Sequence, residues 1–202
     1  MSGIFSGVSN NAQEQLSKYK TAAENFDTWN KRVEERLKDF LNENLYVRKD
    51  YKSSDYLQKQ SGAGPCCAYA YAMGISIIDG KKGNDKYKGK DYYNGTGATG
   101  MKRLEALKAW SKDSFDTIYK QIKGGKPVII HYYTDSKRDS ESQNQHWVLA
   151  VGIKKDADIK NLTSKDIIIL DSATGKEVTL TSGYSYSKMG DKGLDGTRLF
   201  TK

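Results

Sequence analysis

The chain has 202 residues, which is enough for one domain or for one domain with an appendage. Its 37% of hydrophobic and 11% of aromatic residues exclude a mostly disordered chain, and two prolines against 19 glycines exclude a collagen-like one. The 33 basic and 25 acidic residues give a net charge of +8. Because the lysines are spread along the chain, we expect a solvated basic surface, with attraction to an anionic cell wall or membrane surface as the alternative.

Several partners and locations find no support in the sequence. It contains no nucleic-acid-binding signature, so we expect no nucleic-acid partner. No apolar run approaches the ~18 residues of a transmembrane helix. The first residues, MSGIFSGVSNN, lack a basic segment followed by an apolar one, so no secretory signal is visible. The expectation is a cytoplasmic protein, or one exported by a non-classical, phage or effector route.

The only two cysteines, Cys66 and Cys67, are adjacent. Disulfide geometry is hard to satisfy across one peptide bond, so no disulfide framework is expected. Together with His131 and His146 they would supply four zinc ligands, but the pair lacks the usual gap of two to four residues. We therefore expect no metal and no cofactor.

The first segment predicts one long amphipathic helix. Apolar residues recur every three or four positions between Ala12 and Leu41, and Asn10 or Asn11 can cap its start. The predicted organisation is residues 1–44 as a docking or accessory helix and residues 45–202 as the main domain. We expect the helix to pack against that domain, with partner docking, a coiled-coil or delivery segment and an inhibitory prosegment as alternatives.

The central part of the chain is predicted to be mainly helical. Residues 45–60 indicate an extended lead-in and residues 60–65 a glycine-rich turn. Residues 66–78 are small and apolar nearly all round, which is typical of a buried helix. Residues 79–100 indicate a loop, and residues 101–110 and 114–122 indicate two short helices.

Strands dominate the last third of the chain. They are predicted, from their β-branched and aromatic runs, at residues 127–133, 146–153, 166–171, 177–180 and 196–200. The turn at residues 173–176 predicts a hairpin. Helices followed by strands predict an α+β fold, in which an antiparallel sheet packs against a helix.

Three residues stand where a nucleophilic site would need them. Cys66 opens the buried helix, where the dipole and the free N–H groups stabilise a thiolate. His146 opens a strand and can exchange a proton, and Asp171 ends the next strand and can hold the imidazole in one tautomer. His131 lies in the middle of a strand, where a packed or surface histidine is the default.

This arrangement resembles papain-like cysteine peptidases. Gln60 lies six residues before Cys66, Gly64 lies two before it, and Ala68 and Tyr69 follow it as in that family, whereas Cys67 replaces a tryptophan. The resemblance implies that Cys66 is the nucleophile, His146 the general base and acid and Asp171 the orienting residue. It also implies an oxyanion hole formed by Gln60 and the backbone N–H of Cys66.

Within this fold the sequence is most similar to compact bacterial double-glycine peptidases, which trim bacteriocin leaders. Residues 125–129 read Gly-Lys-Pro-Val-Ile, as such peptidases show before the histidine strand, and residues 171–175 read Asp-Ser-Ala-Thr-Gly, with Ser172 in place of proline. The resemblance covers about residues 55–182 and implies hydrolysis of a protein or peptide substrate through a thioester.

Three other functions stay open at this point. The first is a peptidoglycan amidase or endopeptidase, as in phage lysins or antibacterial toxins, because a basic surface suits an anionic wall. The second is an inactive papain-like binding module. The third is an effector that the N-terminal helix delivers to another cell or docks on a partner. The loops at residues 79–100 and 134–145 are expected to form the specificity pockets.

Overall fold

The computed structural model describes residues 3–41, 43–83, 86–138 and 144–201, with side chains from residue 12 to residue 32 in the first helix. The chain divides into two compact units, Met1–Glu43 and Asn44–Lys202. This division lies one residue before the boundary that the sequence suggests. Among the described residues, no helix is long and apolar enough to cross a membrane.

The first unit is helix α1, Gly3–Leu41. It begins well before the predicted cap at Asn10 or Asn11, and no proline stands between Gly3 and that point to end it. Four apolar side chains on it are 59–72% exposed, namely Leu16, Tyr19, Phe26 and Trp29. The side chains of the apolar pattern from residue 33 onward lie outside the described part.

The second unit is built on one antiparallel sheet. Its seven strands, counted over the described residues, are β1 Leu45–Tyr46, β2 Lys108–Ala109, β3 Val128–Tyr133, β4 Gln145–Ile153, β5 Ile167–Asp171, β6 Lys176–Thr179 and β7 Leu194–Leu199. They are ordered β2-β7-β3-β4-β5-β6, and β1 pairs with β4. The α+β prediction of an antiparallel sheet packed against a helix is confirmed.

Helix α2, Cys66–Ile78, packs on this sheet and is buried along almost its whole length. Its glycine, Gly74, makes the close approach possible, because a Cβ there would lie 2.1 Å from the ring of Phe200. Helix α3, Ser114–Lys123, packs the side chains of Ile118 and Ile122 into the same core. Burying an aliphatic side chain of this size contributes about 1.5–3 kcal/mol to the stability of the fold. The buried side chains of α2 therefore hold the helix, with Cys66 at its start, against the sheet.

The helix predicted at residues 101–110 is wrong. Lys108 and Ala109 form an edge strand opposite Thr197 and Gly196 of β7, and Leu104 bridges to Phe200. The backbone N–H of Trp110 also donates to the carbonyl of Asp195, at 2.7 Å. Backbone pairing with β7 therefore overrides the helical pattern of the side chains, and β1 is a further short strand that the sequence did not reveal.

Strand pairing places His131, His146 and Asp171 on three neighbouring strands, β3, β4 and β5. His146 stands opposite Tyr132, and Trp147 stands opposite His131, in the ladder between β3 and β4. Asp171 is the last residue of β5, the neighbour of β4 on its other side.

Candidate active site

The helix that carries Cys66 begins directly after a tight turn. Gly64 has a φ of +106°, a left-handed conformation, and the Tyr93 hydroxyl would lie 2.7 Å from any Cβ at this position. Only glycine fits both conditions. Pro65 caps α2, and Cys66 is its first residue and is buried, 4% exposed. Because the first N–H groups of a helix have no intrahelical partner, they can bind a negative charge beside the Cys66 sulfur.

The imidazole of His146 lies between Asp171 and Cys66. Its Nε2 is 2.9 Å from Oδ1 of Asp171, which leaves Nδ1 for the hydrogen bond with the Cys66 side chain. Burial by itself lowers the pKa of His146, but the hydrogen bonds and negative charges of Asp171 and Cys66 outweigh it and raise the pKa to about 9. The arrangement therefore favours an imidazolium at neutral pH.

Asp171 is held as a carboxylate although it is fully buried. Its Oδ1 accepts a hydrogen bond from the N–H of Ala173, at 2.9 Å, and its Oδ2 accepts one from the N–H of Tyr184, at 2.7 Å. Burial alone would raise its pKa, but the hydrogen bond and positive charge of His146 and these two N–H groups lower the pKa instead. The carboxylate can thus hold the imidazole ring in one orientation.

Gln60 lines the same cavity as Cys66 and His146. This cavity, the reaction pocket, has a volume of about 210 Å³ and is lined by Gln60, Gly62, Ala63, Gly64, Cys66, Gln145, His146, Ala173 and Tyr184. The side-chain oxygen of Gln60 accepts a hydrogen bond from the Ser172 hydroxyl, at 2.6 Å, and its Nε2 donates to the carbonyl of Gly62, at 3.0 Å. The second Nε2 hydrogen remains to stabilise an oxyanion.

Of the four residues predicted for the site, Cys66, His146 and Gln60 line one pocket, and Asp171 is hydrogen-bonded to His146. His131 does not line this pocket, although one of its partners, Gln145, does. Its ring nitrogens lie 2.8 Å from Asp195 and 2.9 Å from Gln145, and its ring stacks on Trp147 with centroids 4.1 Å apart. Burial outweighs these partners and lowers the pKa of His131.

Cys67 is the second residue of helix α2. The Cys67 thiol is buried, which raises its pKa to about 12 and keeps it neutral. In the described ranges, no group of three or more His, Cys, Asp or Glu side chains could hold a metal ion. The two cysteines and two histidines of the chain therefore do not gather into a four-ligand site.

Three contacts around the site were missed by sequence reasoning. Ser172 binds Gln60, and the rings of Tyr132 and Tyr184 meet the His146 ring edge to face, with centroids 5.6 and 5.5 Å away. In the Asp-Ser-Ala-Thr-Gly motif, Ser172 replaces a proline. This replacement was a signal that the serine hydroxyl makes a contact of its own. Tyr132 and Tyr184 had no such signal, because tyrosines are frequent throughout this chain.

A cysteine at the start of a buried helix, beside a histidine–aspartate pair on an antiparallel sheet, is the arrangement of a papain-like cysteine peptidase. The sequence model of the Peptidase_C39-like family matches residues 15–193, and the chain belongs to this family, a relative of the peptidases that process bacteriocins. The match extends beyond residues 55–182, the range of the resemblance noted from the motifs, into helix α1. A search of curated proteins gives no match.

Proposed function

We propose that the protein is an active cysteine peptidase that hydrolyses a peptide bond through Cys66, His146 and Asp171. The observation that carries the proposal is the buried hydrogen bond between Asp171 and His146, whose ring lines one pocket with Cys66 and has its pKa raised in part by Cys66. A nucleophile, a base and a residue that orients the base, in contact and beside an open pocket, are what covalent catalysis on an amide needs.

In the acylation step, the Cys66 thiolate attacks the carbonyl carbon of the scissile bond. A C–S bond forms, and the carbonyl oxygen becomes an oxyanion that the backbone N–H of Cys66 and the Nε2 of Gln60 stabilise. His146 then donates its proton to the amide nitrogen, the C–N bond breaks, and the amine leaves. The acyl group remains on Cys66 as a thioester.

In the deacylation step, the neutral His146 takes a proton from a water molecule, which attacks the thioester carbonyl. The C–S bond breaks, the carboxylic acid product leaves, and the thiolate–imidazolium pair is restored. Asp171 keeps its hydrogen bond to Nε2 through both steps, so the nitrogen that transfers protons always faces Cys66.

The two histidines of the chain provide a matched test. We expect His146→Ala to abolish turnover of a peptide substrate, because no other group in the reaction pocket can carry the proton. His131→Gln is expected to retain most activity, because His131 does not line this pocket. Rates are measured on a fluorogenic peptide library, with circular dichroism to show that both variants are folded. An active His146→Ala protein would overturn the proposal.

The two cysteines provide a second test that needs no substrate. Low-excess iodoacetamide at mildly acidic pH is expected to alkylate Cys66 well before Cys67, since burial keeps the Cys67 thiol neutral. Peptide mapping by mass spectrometry reads the two sites separately. Equal labelling, or faster labelling of Cys67, would remove Cys66 as the nucleophile.

We propose a protein or peptide substrate ahead of peptidoglycan, because the family relationship is to peptide-processing enzymes. A digest of purified cell wall, run in parallel with the peptide library, separates these two substrate classes. If the protein is an inactive binding module, we expect neither the peptides nor the cell wall to be cleaved. Cys66 would then be alkylated slowly and no faster than Cys67.

A further inference from the structure

A second cavity adjoins the reaction pocket on the side of Cys66. It has a volume of about 300 Å³, room for one amino-acid side chain, and it shares Gly64, Cys66 and Gln145 with the reaction pocket. The cavity therefore offers space for a group next to a substrate carbonyl that lies at the Cys66 sulfur. We call it the Arg198 pocket.

The Arg198 pocket is lined by polarizable side chains, by polar groups and by one charged group. Cys67, Met101 and Trp147 form part of its lining, and the Cys67 sulfur lies 4.0 Å from that of Met101. The charged group is the guanidinium of Arg198, which lies over the ring of Trp147 with its central carbon 5.2 Å from the ring centroid. Trp147 thus fixes where the cation stands.

Arg198 has no anion to balance it within the described part of the chain. Its Nε is buried without a hydrogen-bond partner, and no carboxylate there lies within ion-pair distance. Cys67 supplies no negative charge, because burial raises the pKa of its thiol. The nearest carboxylate on the same strand, that of Asp195, is bound to His131. A partly desolvated guanidinium in this state binds a carboxylate strongly, and its planar fork suits two parallel hydrogen bonds.

Resting on the proposed peptidase function, we propose that the Arg198 pocket selects substrates with a carboxylate next to the scissile bond, most simply the side chain of a glutamate or aspartate. The methylene groups of such a side chain would lie along Met101 and Trp147, and its carboxylate would reach the guanidinium. The net charge of +8 attracts any acidic peptide, whereas this pocket selects one position within the peptide.

The activity test compares isosteric pairs at each position of a peptide substrate, glutamate against glutamine and aspartate against asparagine. At one position we expect the acid to raise kcat/KM by about tenfold or more, the range for a charge-assisted hydrogen bond. Arg198→Gln should abolish this preference. Arg138→Gln is the matched control, since Arg138 also lies over an aromatic ring, that of Tyr133, outside both pockets, and its loss lowers the net charge equally.

A binding test that needs no turnover follows the arginine Nε–H signals by NMR. The ligands are N-acetyl-glutamate methylamide, its glutamine counterpart, and N-acetyl-alanine, whose carboxylate is a chain terminus. We expect the Arg198 signal to shift with the glutamate ligand and not with the glutamine one, in the wild type and in Arg138→Gln. A shift with N-acetyl-alanine alone would overturn the side-chain assignment in favour of a chain terminus.

Equal responses to the acid and the amide, in kcat/KM or in NMR shift, would overturn the inference. A carboxylate-specific shift in a protein that cleaves no peptide would overturn the proposed function and leave the carboxylate site standing. The two failures are therefore distinguishable.

Discussion

Ser172 shows how one hydroxyl can position a group that touches the substrate. It is fully buried, and its hydroxyl donates to the side-chain oxygen of Gln60, while its carbonyl accepts the backbone N–H of Gln60 at 2.9 Å. The side-chain bond fixes which end of the amide faces the reaction pocket, because the oxygen is already engaged. A free amide could turn either its oxygen or its nitrogen toward the oxyanion.

Removing that hydroxyl tests the positioning role. We expect Ser172→Ala to lower kcat by about two- to tenfold with KM little changed, since one hydrogen bond contributes about 0.5–1.5 kcal/mol and acts here on the oxyanion donor. Steady-state kinetics of Gln60→Ala, Ser172→Ala and the double variant give the answer. The double variant should be no slower than Gln60→Ala alone. Independent, multiplicative losses would show that Ser172 does not act through Gln60.

The protonation of His146 predicts the alkaline side of the pH profile. Acylation requires the imidazolium, and the pKa of His146 is raised to about 9, so activity is present below that pH and falls as the pH rises through it. In Asp171→Asn the charge that helps to raise this pKa is lost, so the alkaline limb should move to lower pH. The profile of kcat/KM against pH, recorded for the wild type and for Asp171→Asn, measures the position of the alkaline limb in each protein.

Asp195→Asn is the control for that experiment, because Asp195 binds the other histidine, His131. Its alkaline limb should stay with that of the wild type. If Asp171→Asn left the limb in place as well, the coupling between Asp171 and His146 would be wrong.

At the scale of elements, helix α2 comes very close to Phe200, the residue after β7, through Gly74. Gly74→Ala places a methyl group against the buried ring of Phe200. Overpacking costs about 1–3 kcal/mol, and the better helix propensity of alanine offsets about 1 kcal/mol of this, so we expect a net loss of stability.

Urea unfolding of Gly74→Ala measures that loss, and a Phe200→Leu background supplies its control. Because the flat ring is then absent, adding Gly74→Ala should cost less there than in the wild type. An equal cost in both backgrounds would place the strain elsewhere in α2.

Elements with a strong local pattern were predictable from the sequence, and elements defined by pairing were not. Helix α2 and strands β3, β4 and β5 follow from continuous apolar runs. The edge strand at Lys108–Ala109 depends on backbone partners in β7, nearly ninety residues further along the chain, which no local pattern encodes. The same holds within the site. Cys66, His146 and Asp171 stood in recognisable motifs, whereas the contact between Gln60 and Ser172 spans 112 residues.

At the scale of the whole molecule, the open question is what helix α1 contributes. The buried hydrophobic cluster is formed by residues of the second unit. We therefore expect residues 44–202 to fold without the helix and to melt within about 4 °C of the full chain, which corresponds to about 1 kcal/mol.

Thermal melting by circular dichroism, with activity on a peptide substrate, tests the truncation. Retained stability and activity would direct attention to an interaction of α1 with another molecule, because exposed aromatic stripes are typical of binding surfaces. A large drop in melting temperature would instead support the expectation from the sequence that the helix packs against the peptidase domain.

The adjacent pair Asp171–Ser172 at the end of β5 carries two supports at once. Asp171 binds His146, the proposed proton carrier, and Ser172 binds Gln60, the proposed oxyanion donor. A lengthened turn between β5 and β6 would therefore misplace both together, and activity would vanish abruptly rather than decline by degrees. The Arg198 pocket takes its charged group from β7 and no lining residue from that turn, so a change at Arg198 would alter the choice of substrate while the supports of His146 and Gln60 stay as they are.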